Sequence, residues 1–388
     1  MENNQRISTG KAWKITVLTL VCMALFGSCG GQRQQTGPGR SASPSASQVR
    51  DTAAAVETAG GPAGITIGFS ISTDDFVTER WNKDMRAFSG AAQELGANVI
   101  VQLSAGGIQK QISQINYMVN QKIDILVIVA HDTDMIAGAI KQVRDAGIPV
   151  IAYDRLIMGV PIDAYISFDN REVGRMFGRA LLDAVPQGKY LMVNGSVVDS
   201  NSYEVSAGLH EILDPVIASG DIQLNREIWL DEWSFDEALE KVGAIFAETT
   251  DFDAISCGND QIAGAVIQLL AERRLAGKVA VVGQDAELIS CQHVVEGLQL
   301  MTVYKPIGKL GPRAAKLAMS IAENNRLPGD SLADNQSGTM IPTYTEMPIA
   351  VYKDNMDVVL KDGFHSYEDI YRNVTADISG EASRGMAY

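Results

Sequence analysis

The stretch Ile108-Gln109-Lys110-Gln111-Ile112-Ser113-Gln114-Ile115-Asn116-Tyr117-Met118-Val119-Asn120-Gln121-Lys122-Ile123-Asp124-Ile125-Leu126-Val127-Ile128-Val129 decides the fold. Its first half sets Ile108, Ile112, Ile115 and Val119 three and four residues apart, the spacing of one apolar stripe along a helix. From Ile125 to Val129 it is apolar without interruption, as a strand buried on both faces of a parallel sheet requires. A helix leading into such a strand is one unit of an open α/β sheet.

The alternation extends in both directions. Upstream, Ile65 to Ile71 reads as a strand, the segment after Trp81 as a helix to about Leu95 with Gly96 as its C-cap, and Val99 to Gln102 as a second strand. Downstream, Ile136, Ile140 and Val143 repeat the helical spacing, Gly147-Ile148-Pro149 stops that helix, and Val150 to Tyr153 starts the next strand. After Asp169-Asn170 the pattern begins again. Helices are expected around Val173 to Leu182, Val205 to Leu213, Ala238 to Ala247 and Ile262 to Glu272. Strands are expected at Tyr190 to Val193, near Glu227 to Trp229, at Ala254 to Cys257 and at Val279 to Val282. A chain of 388 residues exceeds what one core usually organises. The expected fold class is therefore α/β, built as two similar doubly wound parallel-sheet lobes.

Ahead of these units, Arg6, Lys11 and Lys14 precede an apolar run from Ile15 to Phe26, which meets Gly27, Ser28 and Cys29. The run is shorter than the roughly 20 apolar residues of a membrane-spanning helix. It reads as a signal peptide over residues 1–28, and Phe26-Gly27-Ser28-Cys29 as a lipobox-like site that leaves Cys29 as a lipidated first residue. Residues 29–63 are Gly, Ser, Ala, Gln and Thr with almost no large apolar side chains, a composition for a flexible tether. A periplasmic or cell-surface location, held at a membrane, follows. Of the four cysteines, Cys257 and Cys291 remain in the body, as a disulfide or as two buried thiols. A net charge of -15 and the absence of a Lys/Arg-rich block exclude nucleic acid as a partner.

Polar residues cluster where strands run out into loops, the edge at which open α/β sheets bind ligands. Ala152-Tyr153-Asp154-Arg155, Gly258-Asn259-Asp260, Gly283-Gln284-Asp285 and Val303-Tyr304-Lys305-Pro306 each end a strand. Asp154, Arg155, Asn259, Asp285 and Lys305 supply the mixed acceptors and donors that a neutral polyhydroxylated ligand needs. Trp81 and Trp233 offer flat indole faces for a pyranose ring; each alone would more often be core packing, and their joint occurrence with the loop motifs reverses that reading. Asp132 and Asp260, each just ahead of a helix, are assigned to capping.

Several motifs, taken in order, resemble the xylose-binding members of the type I, ribose/galactose-like family of bacterial periplasmic sugar-binding proteins. They are Glu79-Arg80-Trp81, Ala152-Tyr153-Asp154-Arg155, Tyr165-Ile166-Ser167-Phe168-Asp169-Asn170, Val185-Pro186-Gln187-Gly188, Trp229-Leu230-Asp231-Glu232-Trp233, Gly283-Gln284-Asp285, Met301-Thr302-Val303-Tyr304-Lys305-Pro306 and Lys361-Asp362-Gly363-Phe364-His365. The resemblance runs from about Ile65 to about Tyr367. It implies that Arg80, Trp81, Asp154, Arg155, Asn201, Trp233, Asn259, Asp285 and Lys305 line a sugar site. The first loop, Ser72 to Thr78, is longer than the family's, Ser200 stands where an asparagine is more usual, and Glu232 replaces a usual glycine. By the same resemblance the chain crosses between lobes near Phe168-Asp169, near Lys305-Pro306 and near Asp334 to Ser337, forming a three-segment hinge. The first lobe would then hold residues 64–168 and 306–335, the second 169–305 and 336–372, with a polar tail at 373–388. The implied function is delivery of a monosaccharide, D-xylose foremost, to the membrane subunits of an ABC permease by a monomer without cofactor or metal. A sensory receptor that signals to a membrane kinase or chemoreceptor is the alternative.

An enzyme would need a nucleophile elbow, a phosphate loop, a dinucleotide fingerprint or a zinc motif, and none of these patterns occurs. Asp154 and Asp285 could serve as a glycosidase pair, but Arg155 and Lys305 would keep both ionised and leave no general acid. A sugar-responsive repressor would carry a basic helix-turn-helix where this chain has its leader. No calcium loop of alternating Asp and Asn is present.

Overall fold

The computed structural model describes residues 64–72 and 79–374. The expected signal peptide, Cys29, the tether, most of the first loop and the tail from 375 onward lie outside the described residues.

The first sheet is laid down by β1 (Thr66–Ser72), α1 (Glu79–Glu94), β2 (Asn98–Ser104), α2 (Gly107–Asn120), β3 (Ile125–Val129), α3 (Ala137–Asp145), β4 (Val150–Tyr153) and β5 (Ala164–Phe168). All five residues of β3 are buried, as its uninterrupted apolar run requires. α1 ends at Gly96, whose φ of +86° suits a residue without Cβ.

The chain then builds a second sheet through α4 (Asn170–Ala184), β6 (Gly188–Ser196), α5 (Ser200–Ser219), β7 (Ile222–Leu230), α6 (Phe235–Glu248), β8 (Ala254–Cys257), α7 (Asp260–Glu272), β9 (Ala280–Gln284), α8 (Leu288–Glu296) and β10 (Met301–Tyr304). β7 is longer than its apolar end, Glu227 to Trp229, suggests. It is an edge strand with its middle facing solvent, so no apolar alternation marks it. α5 runs on through Pro215 to Ser219 and stops at Gly220, φ +86°.

The chain returns to the first lobe as α9 (Ile307–Ala322), β11 (Ser331–Asp334) and β12 (Met340–Glu346). It ends in the second as β13 (Ile349–Val351), a 3-10 turn, α10 (Asp357–Lys361) and α11 (Tyr367–Ile370). The sheet orders are β11-β12-β5-β4-β3-β1-β2 and β13-β10-β9-β8-β6-β7. Each is parallel except for one edge strand, β11 in the first sheet and β13 in the second. This is the two-lobe, doubly wound type I periplasmic binding fold.

One expected boundary is corrected. Residues 336–346 do not pass to the second lobe, because β12 pairs in parallel with β5 from Thr343 opposite Tyr165 to Glu346 opposite Phe168. β12 covers what would otherwise be the open edge of β5. The third crossing therefore lies between Glu346 and Ile349. It runs beside the first, with Asp169 N donating to Glu346 O at 3.1 Å.

α4 and α5 touch backbone to backbone. A Cβ on Gly174 would stand 1.9 Å from Val205 O, and one on Gly208 1.9 Å from Arg171 O. That contact sets where the N-terminus of α5 points, and the N-terminus of α5 carries part of the site.

Candidate functional site

Between the lobes lies a cavity of about 430 Å³. Arg80 and Trp81 reach it from the first turn of α1, Asp154 and Arg155 from the end of β4, and Asn201 from the first turn of α5. Trp233 comes from the loop before α6, Asn259 from the N-cap of α7, Asp285 from the end of β9, and Lys305 from the end of β10. The structure thus brings all nine expected residues around one cavity, at the C-terminal ends of strands in both sheets.

Asp154 and Asp285 both have positive φ, +67° and +98°. Left-handed backbone is unfavourable for residues with a Cβ and least so for Asp and Asn. Both carboxylates are turned off their strand ends into the cavity by this backbone.

Arg80 is the hub. Its guanidinium contacts Asp154, lies 3.2 Å from Asp285 Oδ1, and has Nε 3.5 Å from Asp84 Oδ2. Burial works against the charge of Arg80, yet Asp154, Asp285 and Asp84 together hold its pKa above the ordinary arginine value. Burial opposes ionisation of Asp154 too, but Arg80, Lys305 and Arg155 keep its carboxyl below the usual range. Asp84 behaves differently. Burial pushes it up to about 7 despite Arg80 and a hydrogen bond from Tyr153 OH. Tyr153 packs edge-on to Phe69 and Phe88 in the core of the first lobe, so Arg80 is braced from the hydrophobic interior. Burying a ring of this kind contributes about 1.5–3 kcal/mol.

On the other side, Arg155 Nε stands 2.8 Å from Asp199 Oδ2 as an ion pair and its Nη1 donates to Ala130 O at 3.0 Å. Trp233 Nε1 donates to the same Asp199 oxygen at 2.9 Å. The indole of Trp233 lies against two glycines: a Cβ on Gly195 would meet it at 2.0 Å and one on Gly258 at 3.0 Å. Trp81 carries the Arg80 guanidinium 4.6 Å and the Arg155 guanidinium 5.7 Å from its ring centre. Both tryptophans thus pack and line the cavity at once.

Asp199 lines the same cavity, and its sequence neighbourhood did not single it out. It caps α5 by accepting from Asn201 N at 2.9 Å while holding Arg155 and Trp233, and it is 1% exposed. The signal available was its position at a strand end ahead of a helix, which a plain cap shares. Gln261, Gln284 and Glu287 also line the cavity. Burial, and then Asp285, push Glu287 up to about 7.

The capping assignment of Asp260 is corrected. The cap of α7 is Asn259, whose Oδ1 accepts from Ile262 N at 2.9 Å. Asp260 is wholly buried beneath the loops, accepting from Thr302 Oγ1, Gln299 Nε2 and Glu287 N at 2.8–3.0 Å. Asp132 does not cap α3 either: its carboxylate accepts from Asp134 N and Met135 N in the turn ahead of the helix, whose N-cap position is Ile136. Cys257 and Cys291 are free, buried thiols, and burial raises the pKa of both. Among the described residues, no group of three or more His, Cys, Asp or Glu is placed to hold a metal ion.

The site, then, is an interlobe cavity rich in polar side chains, in which Arg80, Arg155 and Lys305 already pair with carboxylates. The periplasmic binding protein domain family matches residues 67–326, and the chain belongs to that family. It is a solute-binding protein and not an enzyme.

Within the family it is similar to the D-xylose-binding periplasmic proteins of Haemophilus influenzae and Escherichia coli. The identities are 41% and 40%, with 79% of this chain and 92% of each relative covered. Among solved structures, a carbohydrate transporter solute binding protein from Chloroflexus aurantiacus in complex with D-glucose matches with TM-score 0.72 at 27% identity. That match covers 78% of this chain and 97% of the other. An ABC transporter solute binding protein from Clostridium phytofermentans with bound β-D-glucose matches in fold with TM-score 0.72 at 24% identity, covering 79% and 99%.

Proposed function

We propose that the cavity binds a monosaccharide, D-xylose foremost, and that the closed, loaded receptor hands it to the membrane subunits of an ABC permease. The observation that carries this reading is the pairing inside the cavity. Arg80, Arg155 and Lys305 are each paired with a carboxylate among Asp154, Asp199 and Asp285, so these six side chains offer strong donors and acceptors with their charges matched. Such a lining suits a neutral ligand whose every hydroxyl both gives and takes hydrogen bonds. Two indoles at its walls suit the apolar faces of a pyranose, and about 430 Å³ falls in the lower part of the range for small-molecule sites.

Donors and acceptors come from both lobes, so a bridging sugar gains its full set of contacts only in the closed state. Occupancy and closure are thereby linked through differential affinity, which gives the permease a shape to recognise. The choice of D-xylose is supported by the two relatives at about 40% identity that are named for that sugar. The leader and tether complete the proposal: Cys29 carries the lipid, residues 29–63 span from membrane to body, and the receptor acts as a monomer.

Calorimetry on a chain beginning at Gly61, against a panel of pentoses and hexoses, tests the ligand. Micromolar or tighter binding of D-xylose is expected, and no heat with any aldopentose refutes it. Cys29→Ala in the full chain is expected to release the protein from the membrane fraction, and retention there refutes the anchor.

A further inference from the structure

The Ser167-Phe168-Asp169-Asn170 segment carries the chain out of the first sheet, and Ser167 and Asn170 hydrogen-bond to residues of the cavity wall. Ser167 Oγ and Tyr165 OH both donate to the main-chain oxygen of Asp154, at 2.7 and 3.1 Å. Asn170, the first residue of α4 and 5% exposed, sends Nδ2 to Asn201 Oδ1 at 2.9 Å. Asn201 in turn sends Nδ2 to Asp154 Oδ1 at 2.9 Å. The result is a directional relay from the hinge, Asn170 to Asn201 to Asp154.

We infer that Asn170 is a positioning and specificity-determining residue: from the hinge it fixes which end of the Asn201 amide faces the sugar. A carboxamide has nearly the same shape either way round, so its neighbours decide its orientation. The ionised Asp154 can only accept, and Asn170 directs an N–H at Asn201. Asn201 therefore spends its oxygen on Asn170, gives one N–H to Asp154, and keeps the other N–H for the ligand. It acts as a donor only, and the sugar atom opposite it must be an acceptor. The orientation of Asn170 carries a cost that supports this reading. Its own Oδ1 is buried with no hydrogen-bond partner among the described residues, which its amide accepts in order to keep nitrogen toward Asn201. The inference rests on the proposed sugar site.

Asn170→Asp tests it, being nearly isosteric and acceptor-only. A carboxylate in the first turn of α4 is compatible with the helix. Asn201 must then turn its amide against Asp154 or face a second carboxylate with its oxygen. Calorimetry would use the pentose that the wild type binds best, together with its monodeoxy and 5-thio analogues. Asn170→Asp is expected to weaken the parent sugar roughly 30-fold, in keeping with a site left holding a mispaired polar group. The loss should be much smaller for the one analogue altered at the atom that faces Asn201. Asn170→Ala, which removes the donor without reversing it, should weaken the parent sugar several-fold in the same uneven pattern. It carries the test if the Asp variant does not fold. An equal loss across all analogues in both variants, or no loss, overturns the inference and leaves the sugar site standing. A wild-type protein that binds no sugar overturns both.

Discussion

Replacing Asp285 by Ala probes the site where the two lobes meet. Asp285 is the carboxylate of the second lobe that touches Arg80, at 3.2 Å, and it lies 3.4 Å from Lys305 Nζ. Without it Arg80 keeps Asp154 and Asp84, but Lys305, 3% exposed, loses its carboxylate in the closed state. The ligand also loses a charge-assisted hydrogen bond, worth about 1.5–3 kcal/mol. Breaking one side of a buried ion pair costs up to about 3–5 kcal/mol, discounted here because an opening cleft rehydrates the ammonium. Taking ~3 kcal/mol as the sum, the Kd for D-xylose should rise on the order of 100-fold. Ala at φ +98° adds backbone strain of about 1–2 kcal/mol to the folded state, so a lower melting temperature is expected as well. Asp285→Asn, which tolerates that backbone and keeps a hydrogen-bonding oxygen, separates the two effects. It should melt near the wild type and bind with intermediate affinity. Calorimetric titration with a parallel thermal melt reads both, and wild-type affinity for Asp285→Ala would show that the cavity is not the sugar site.

Gly174→Ala should destabilise the protein by roughly 2–3 kcal/mol or block folding, since its Cβ would overlap the Val205 carbonyl and has no flexible side chain to displace; a denaturant midpoint equal to that of the wild type would contradict the helix contact. Gly195→Ala should leave the fold but dislodge Trp233 from Asp199, with a loss of ~10-fold or more in sugar affinity, and unchanged tryptophan fluorescence would count against it. The folded-state pKa of Asp84 is raised, so its contribution to stability is fully present below about pH 4, the ordinary carboxylate range, and is lost as pH rises through about 7. Asp84→Asn, which has no such titration, should therefore gain stability relative to the wild type as pH climbs from 4 to 8, measured by chemical denaturation; a difference independent of pH would refute the assignment. Cys257 and Cys291 should resist a thiol reagent in the native body and react once it is denatured, and rapid native labelling would show that they are not buried as described.

What the sequence by itself determined was local in origin. Helical and strand periodicities reach only as far as a turn or a pleat, and they were enough to assign β3, β4 and β8 residue for residue and the two-sheet class as a whole. The strand-end motifs were legible for the same reason: in a parallel sheet every carboxyl end faces the same edge, so polar residues there share a site without any knowledge of pairing. Composition alone is the ground for expecting a leader and a tether, and both lie outside the described residues. Tertiary structure decided whatever depends on which distant segments meet. Arg80 and Asp285 are 205 residues apart in the chain, and nothing in either neighbourhood announces their pairing. β12 belongs to the first lobe because β5 offers an open edge, a fact about the assembled sheet. Asn259 and not Asp260 caps α7 because Thr302, Gln299 and Glu287 converge on Asp260 from other loops. Asp199, read locally, is only a cap. It becomes a part of the site when folding brings Arg155 and Trp233 to its second oxygen.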